Sequence, residues 1–257
     1  MDSETSPSQI DAIVELSVSG HSLQIEMSVP AEPARPIKFL PLFQSVTDGV
    51  VGIATGEAEK EGLTVSCSKG CGACCRQLVP ISVTEARRLH QLIQEMPEPR
   101  KSEIRRRFAA GRERLECTGL LEELKEPERI SKGEARTLGL KYFYLGIACP
   151  FLEDESCSIH TDRPIACREY LVTSPAENCS KPTAETVRCV NLPGKVSGAV
   201  RSLDTGPSRH PAFWVPLLLA PDWAEMHPDN TPPRPGIEIV RELFGRLSGK
   251  NLSEQGS

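Results

Sequence analysis

Residues 67–75 read CSKGCGACC, which puts four of the chain's 10 cysteines into one glycine-bearing turn, two of them adjacent. A turn of this kind serves a disulfide staple, a redox-active dithiol, or a metal or iron–sulfur site. At 257 residues the chain buries a sizeable core without crosslinks, so small size creates no need for staples. The opening MDSETSPSQI has neither a basic n-region nor an apolar core, and the greasiest short segment, FWVPLLLAP at 213–221, is too short for a bilayer and carries two prolines. The expectation is a cytoplasmic protein without a membrane segment. In that compartment thiols stay reduced, and clustered cysteines hold metal more often than they form staples. The net charge of −5 argues against nucleic acid as the default partner.

Ordinary patterning surrounds this turn. Residues 13–29 alternate apolar and polar about a Ser-Gly-His-Ser turn, with Leu16 and Val18 in one arm and Leu23, Ile25, Met27 and Val29 in the other, which predicts a β-hairpin. Phe43, Val46, Val50 and Ile53 then recur at helical spacing as far as about Lys60, with Gly62 as the stop. Ser82 and Glu85 have capping-box spacing ahead of Leu89, Leu92, Ile93 and Met96. A further helix is expected over about 98–115, where the basic run RKSEIRRRFAAGRER reads as a solvated face balanced by glutamates. Residues 116–140 are helical or irregular, and 170–235 read as proline-rich loop. A last amphipathic helix presents Ile237, Val240, Leu243, Phe244 and Leu247. The fold class expected is mostly helical α+β: an N-terminal hairpin and helix (1–61), a metal-nucleated cysteine core (62–190) and a C-terminal segment with a terminal helix (191–257).

A second cysteine block, CPFLEDESCSIHTDRPIACREY, occupies 149–170. Short C-x3-C and C-x2-C spacings let one turn present several sulfurs to one centre. Gly70 and Gly72 are expected to supply positive φ beside Cys71 and to leave N–H groups pointing at sulfur. Adjacent side chains such as Cys74 and Cys75 project in different directions. They serve two sites, or one ligates while the other packs or donates a hydrogen bond; a vicinal disulfide would be strained. Thiolate centres are anionic and need nearby cations, and Arg76, Arg163 and Arg168 all lie beside cysteines, although pairing with Asp154, Glu155 or Asp162 is the competing use for each. His160, three residues after Cys157, is the less favoured ligand. His21, His90, His210 and His227 read as structural or exposed.

CSKGCGACCRQLVPIS followed by CPFLEDESCSIHTDRPIACREY resembles the YkgJ-type cysteine-cluster family, described as carrying a zinc- or iron-chelating domain, over about residues 62–180. The close-set run ending in a vicinal pair corresponds to Cys67, Cys71, Cys74 and Cys75. The Cys-Pro-Phe-Leu, Cys-x-Ile and Arg-Pro-x-x-Cys-Arg segments correspond to Cys149, Cys157 and Cys167. The first spacing is three residues where that family often has two, and His160 stands where relatives often carry tyrosine. Adding Cys179 to these seven gives eight, enough for two four-thiolate sites, with a single cluster and spare thiols as the rival count. Cys117 and Cys189 are left as free or packing cysteines.

Spacing does not separate zinc from iron–sulfur. The vicinal pair and all-sulfur donors favour the cluster, and a thioredoxin-like dithiol at Cys71 and Cys74 lacks the surrounding βαβ pattern. The leading function is a metal-binding accessory or maturation factor with a protein partner or client. Two alternatives remain: a cluster-dependent oxidoreductase or modifying enzyme, and a structural zinc module for protein–protein interaction. The chain has no dinucleotide fingerprint, no phosphate-binding G-x-x-x-x-G-K-[ST] loop and no acid–base set, and the run Glu57, Glu59 and Glu61 reads as a solvated helix end.

Overall fold

The computed structural model describes residues 9–183, 185–205 and 213–248. Strands β1 (Gln9–Val18) and β2 (His21–Pro30) pair antiparallel with Val18 opposite His21, as the alternation predicts. The connection is the two-residue Ser19–Gly20, with both residues left-handed (φ 50° and 88°), so its twist matches that of the strands. Leu16, Val18, Ile25, Met27 and Val29 are buried on one face.

Helix α1 (Leu40–Lys60) lays Phe43, Val46 and Val50 against that face. Gly62, at φ 77°, ends it in a Schellman turn: its own N–H bonds Glu59 O at 2.9 Å, and Leu63 N–H bonds Ala58 O at 2.8 Å. Residues 36–60 are long and apolar enough by composition to cross a membrane, a stretch the apolar-run reading did not flag. Here the apolar side of α1 is taken up by the hairpin and by the C-terminal helices.

After the first cysteine block, β3 (Pro80–Ile81) leads into α2 (Val83–Glu95), which starts with the predicted Ser82/Glu85 capping box. Helices α3 (Arg100–Cys117), α4 (Leu120–Lys125) and α5 (Lys132–Tyr144) follow. The basic run on α3 is balanced as expected: Glu103 pairs with Arg106 and Arg107, and Glu153 with Arg100 and Arg107. A second capping box, Ser131 with Glu134, starts α5 in the stretch the sequence left undetermined.

The second cysteine block forms a minimal hairpin, β4 (Leu152–Glu153) and β5 (Ser156–Cys157), and then the short α6 (Ile165–Glu169). Beyond it the loop reading is corrected. Val196, Ala199, Val200 and Leu203 are buried on α7 (Val196–Thr205), and β6 (Val215–Pro216) pairs with β3 ahead of α8 (Ala220–Met226). Pro221 sits in the first turn of α8, where a missing N–H costs nothing. Helix α9 (Gly236–Ser248) closes the chain, with Ile239 rather than the exposed Ile237 on its buried face.

Two cores result. One joins the hairpin, α1, α7, α9 and Ile165, so residues from the first and last segments share it. The other joins α2 to α5 with Phe151, Ile159 and residues 215–220. Buried carboxylates fasten the seam. Glu85 accepts from Ser82 N–H (2.8 Å) and from Ile165 N–H (2.7 Å), the latter at the start of α6. Glu169 accepts from Ser197 N–H (3.0 Å) in the first turn of α7, and Asp204 accepts from Thr84 N–H (2.9 Å) in the first turn of α2.

Glu85→Ala leaves two buried N–H groups unsatisfied and is expected to cost about 2–4 kcal/mol in denaturant unfolding. Burial raises the Glu85 carboxyl above its ordinary value, so its contribution is fullest at acid pH and declines as pH rises through the folded-state value. The stability of the wild type relative to Glu85→Gln therefore falls as pH rises. Gly52 has open space where a Cβ would stand, so Gly52→Ala is expected to stabilise by about 0.5–1 kcal/mol.

Candidate metal centre

The first cysteine block is a turn followed by one 3-10 turn at Ala73–Arg76. Gly70 supplies the expected positive φ, at 90°, and Cys71 N–H closes on Ser68 O at 3.2 Å. Gly72 does something different. Its φ is −94°, and a Cβ there would stand 2.6 Å from Glu155 Oε2, 2.7 Å from Leu152 Cδ1 and 3.1 Å from Glu155 Cα. Glycine at 72 is required by the close approach of the β4–β5 hairpin, whose turn residues Asp154 and Glu155 are both left-handed (φ 47° and 54°). Arg76 locks this contact, donating to Gly72 O at 3.0 Å and to both Glu155 carboxylate oxygens at 3.0 and 2.7 Å.

Backbone bonds carry the two blocks together. Cys149 N–H donates to Cys75 O at 2.7 Å. Ser66 N–H donates to Val172 O at 2.9 Å, and Val172 N–H donates to Cys67 Sγ at 3.4 Å. Val172 is in turn bridged to Cys189, flanked by Thr173 N–H to Arg188 O and Val190 N–H to Leu171 O, both 2.9 Å. The 3-10 turn Ala176–Ser180, which carries Cys179, packs against Ala73–Arg76.

All eight candidate ligands (Cys67, Cys71, Cys74, Cys75, Cys149, Cys157, Cys167 and Cys179) line one cavity of about 1000 Å³. Cys189, which the sequence left as a free or packing cysteine, lines it too. Its signal was not spacing but the strand bridge to Val172. Cys117 lies apart, exposed at the end of α3. His160 is exposed on the cavity rim, its pKa lowered first by Arg163. His90 is on α2 beside Gln94, His21 faces Glu57, and His227 stacks on Trp223; His210 lies outside the described residues.

The thiols resist ionisation. Cys149 is pushed up to about 12 and Cys167 well above the usual range, in both cases chiefly by burial and then by neighbouring cysteines. The Cys74 thiol is held protonated first by its hydrogen bond to the Cys75 sulfur and then by burial. For Cys74 this is the reverse of the depressed pKa that a reactive thiol needs. The mutual repulsion has structure. Cys149, Cys157 and Cys167 all feel Cys74, Cys149 feels Cys157 and Cys167 feels both, whereas Cys67 and Cys179 feel Cys74, Cys71 and Cys189. Such sets ionise together only around a cation.

The three arginines divide. Arg76 pairs with Glu155, and Arg168 with Asp48, while Arg168 also donates to the Thr161 and Arg163 carbonyls. Arg163 is the one whose charge eases ionisation of both Cys74 and Cys157, and its buried Nε has no hydrogen-bond partner. An unpaired buried donor beside sulfur suits an anionic thiolate centre. The all-sulfur donor set therefore fits a thiophilic metal. Among the described residues, however, no three Cys, His, Asp or Glu side chains stand close enough to hold a single ion.

Residues 66–190 match the family model described as "CxxCxxCC: Putative zinc- or iron-chelating domain". The match supports metal binding, of zinc or iron, by this part of the chain. The match opens one residue before Cys67 and closes one after Cys189. No curated protein and no solved structure matches the chain.

Gly72→Ala is expected to force the β4–β5 hairpin off the first cysteine turn and to lower metal retained on purification, measured as metal per chain. Gly56→Ala, which meets nothing within 4 Å, serves as the control.

Proposed function

We propose that the protein holds an iron–sulfur cluster in the cysteine cavity and acts as an accessory or maturation factor for a protein client. The observation that carries this reading is the width of the site. Four sulfurs about 2.3 Å from one zinc ion stand roughly 3.8 Å apart. Nine of the 10 cysteines line a cavity of about 1000 Å³, and among the described residues no three donors are grouped as a single-ion site requires. A cluster separates its ligating sulfurs further and occupies more of such a space.

Bound there, a cluster would supply electron transfer or a transferable iron–sulfur unit. The residues' own part is clear in outline. Cys74, Cys149, Cys157 and Cys167 offer sulfur from three separate segments, and Arg163 lies where it offsets thiolate charge. Each thiol releases its proton to solvent as it ligates, so uptake is favoured by rising pH. The accessory role is supported by Cys189, which lines the cavity and is exposed to a partner. Free thiols in this number suit the reducing cytoplasm.

Anaerobic purification followed by visible absorbance and by iron, zinc and acid-labile sulfide analysis tests the reading. A brown protein with iron and sulfide is expected; a colourless one with stoichiometric zinc would overturn it in favour of a structural zinc module. Cys149→Ala is expected to lose most of the visible absorbance, and unchanged metal in that variant would remove the second block as a ligand source.

A further inference from the structure

Three short backbone segments lie side by side where Cys189 is exposed: residues 66–67, then 171–173, then 188–190. The pairing of Val172 with Cys189 is antiparallel and of the non-hydrogen-bonded kind. Its flanking bonds run from Thr173 N–H to Arg188 O and from Val190 N–H to Leu171 O. In such a pair the N–H and C=O of both residues point away from each other. Those of Val172 turn to residues 66–67 and are used there, the N–H by Cys67 Sγ at 3.4 Å and the C=O by Ser66 N–H at 2.9 Å. Those of Cys189 turn to the opposite edge, and neither has a hydrogen-bond partner among the described residues. Asn191, exposed two residues on, has no backbone hydrogen bond there either. An exposed edge with an unused N–H and C=O is a template for another extended chain.

Charge decides which chain fits. The protein as a whole carries −5. Among the described residues, the two carboxylates that line the cysteine cavity are both committed. Glu155 accepts twice from Arg76, and Glu169 accepts from the N–H and hydroxyl of Ser197. Lys69 and Lys195 line the cavity and are exposed, and Arg188 is exposed in the edge segment itself. None of the three forms an ion pair with a described residue. Unpaired cations on an acidic protein attract an acidic partner and disfavour a second copy of the same chain.

We propose that residues 188–191 are the docking edge for the client, which adds an acidic, extended peptide segment as a further strand beside Cys189. The proposal rests on the accessory-factor reading above and names the kind of partner. Main-chain bonds to Cys189 set the register, and the carboxylates of the segment meet Lys69, Arg188 and Lys195. The client residue opposite Cys189 forms a hydrogen-bonded pair with it, with Cα atoms about 5.5 Å apart. Because Cys189 also lines the cavity, that residue is held beside the cysteine site.

The probe is a fluorescein-labelled peptide of sequence ETETSTETE, in which threonine favours an extended chain. It is titrated with the full-length protein as purified anaerobically, at low salt, and binding is read by anisotropy. Two peptides are compared with it: KTKTSTKTK, of opposite charge, and ETEPPPETE, which keeps charge and extension but lacks the central N–H groups. The wild type is expected to bind ETETSTETE at least tenfold more tightly than either, with binding weakened as salt rises. The double variant Arg188→Glu with Lys195→Glu is expected to lose at least tenfold. Cys189→Pro, which deletes the outward N–H, is expected to lose as much, while Cys189→Ser binds as the wild type does. Far-UV circular dichroism checks that the variants are folded. No binding of ETETSTETE, or equal binding of either comparison peptide, overturns the proposal. A wild-type dimer in light scattering that Cys189→Pro makes monomeric gives the edge to a second copy and overturns it too. Iron, zinc and sulfide measured on the same samples judge the metal reading separately. A zinc protein that passes the peptide test keeps the docking edge and loses the cluster; a brown protein that fails it does the reverse.

Discussion

A buried carboxylate, Glu85, is the constraint on which the arrangement of the metal cavity depends. Its two oxygens satisfy the N–H groups of Ser82 and of Ile165, the latter 80 residues along the sequence from Glu85, and so tie the first turn of α2 to the start of α6. The chain of obligations continues around the seam. Glu169, at the end of α6, satisfies the first turn of α7, and Asp204, near the end of α7, satisfies the first turn of α2. Three short helices are thus closed into a ring by charged groups at their unsatisfied ends, with Arg201 beside Glu85 and Glu169. Burying carboxylates is costly unless every oxygen is used: both Glu85 oxygens accept from backbone N–H groups, and Glu169 and Asp204 each accept from one N–H group and one hydroxyl, of Ser197 and Thr84 respectively. Cys167 rides on α6, so the inner wall of the cavity inherits its position from this ring.

Apolar packing does the rest from both sides. The core under α2 to α5 supports Cys149, Cys157 and Cys167, while the core of the hairpin, α1, α7 and α9 supports α6 through Ile165. Between these supports the cysteines line the cavity, most of them half-buried, with Cys179 buried and Cys189 exposed. Thiols held in a low-dielectric wall stay neutral until a metal arrives, and this couples ligation to proton release.

Local chemistry made much of this legible beforehand. The hairpin, α1, its glycine stop and the capping box at Ser82 each depend on residues within one turn or one strand pair, so period and spacing reveal them. The same rule explains the errors. Glu85 could be read as a cap, but its second partner, Ile165, is a tertiary fact. Gly72 looked like a conformational glycine because nothing local announces the hairpin that crowds it. Cys189 stood outside any ligand spacing and gained its place through a bridge to Val172. The prolines around 193–235 suggested loop, yet Val196, Ala199, Val200 and Leu203 carry a helical period that prolines outside the helix do not disturb.

The shared core of the first and last segments has a consequence for how the protein is made. Ala34 pairs with Arg234, and α9 packs on the hairpin, so the scaffold that begins near residue 9 is complete only when residue 248 has emerged. At translation rates of about 5–20 residues per second, roughly ten to forty seconds separate α1 from α9. During that interval the nine cavity cysteines emerge in turn, four soon after α1 and five from residue 149 onward, all before the last of their support is made. The protein is born with its thiols exposed, and the ribosome's surroundings reach them before the fold does.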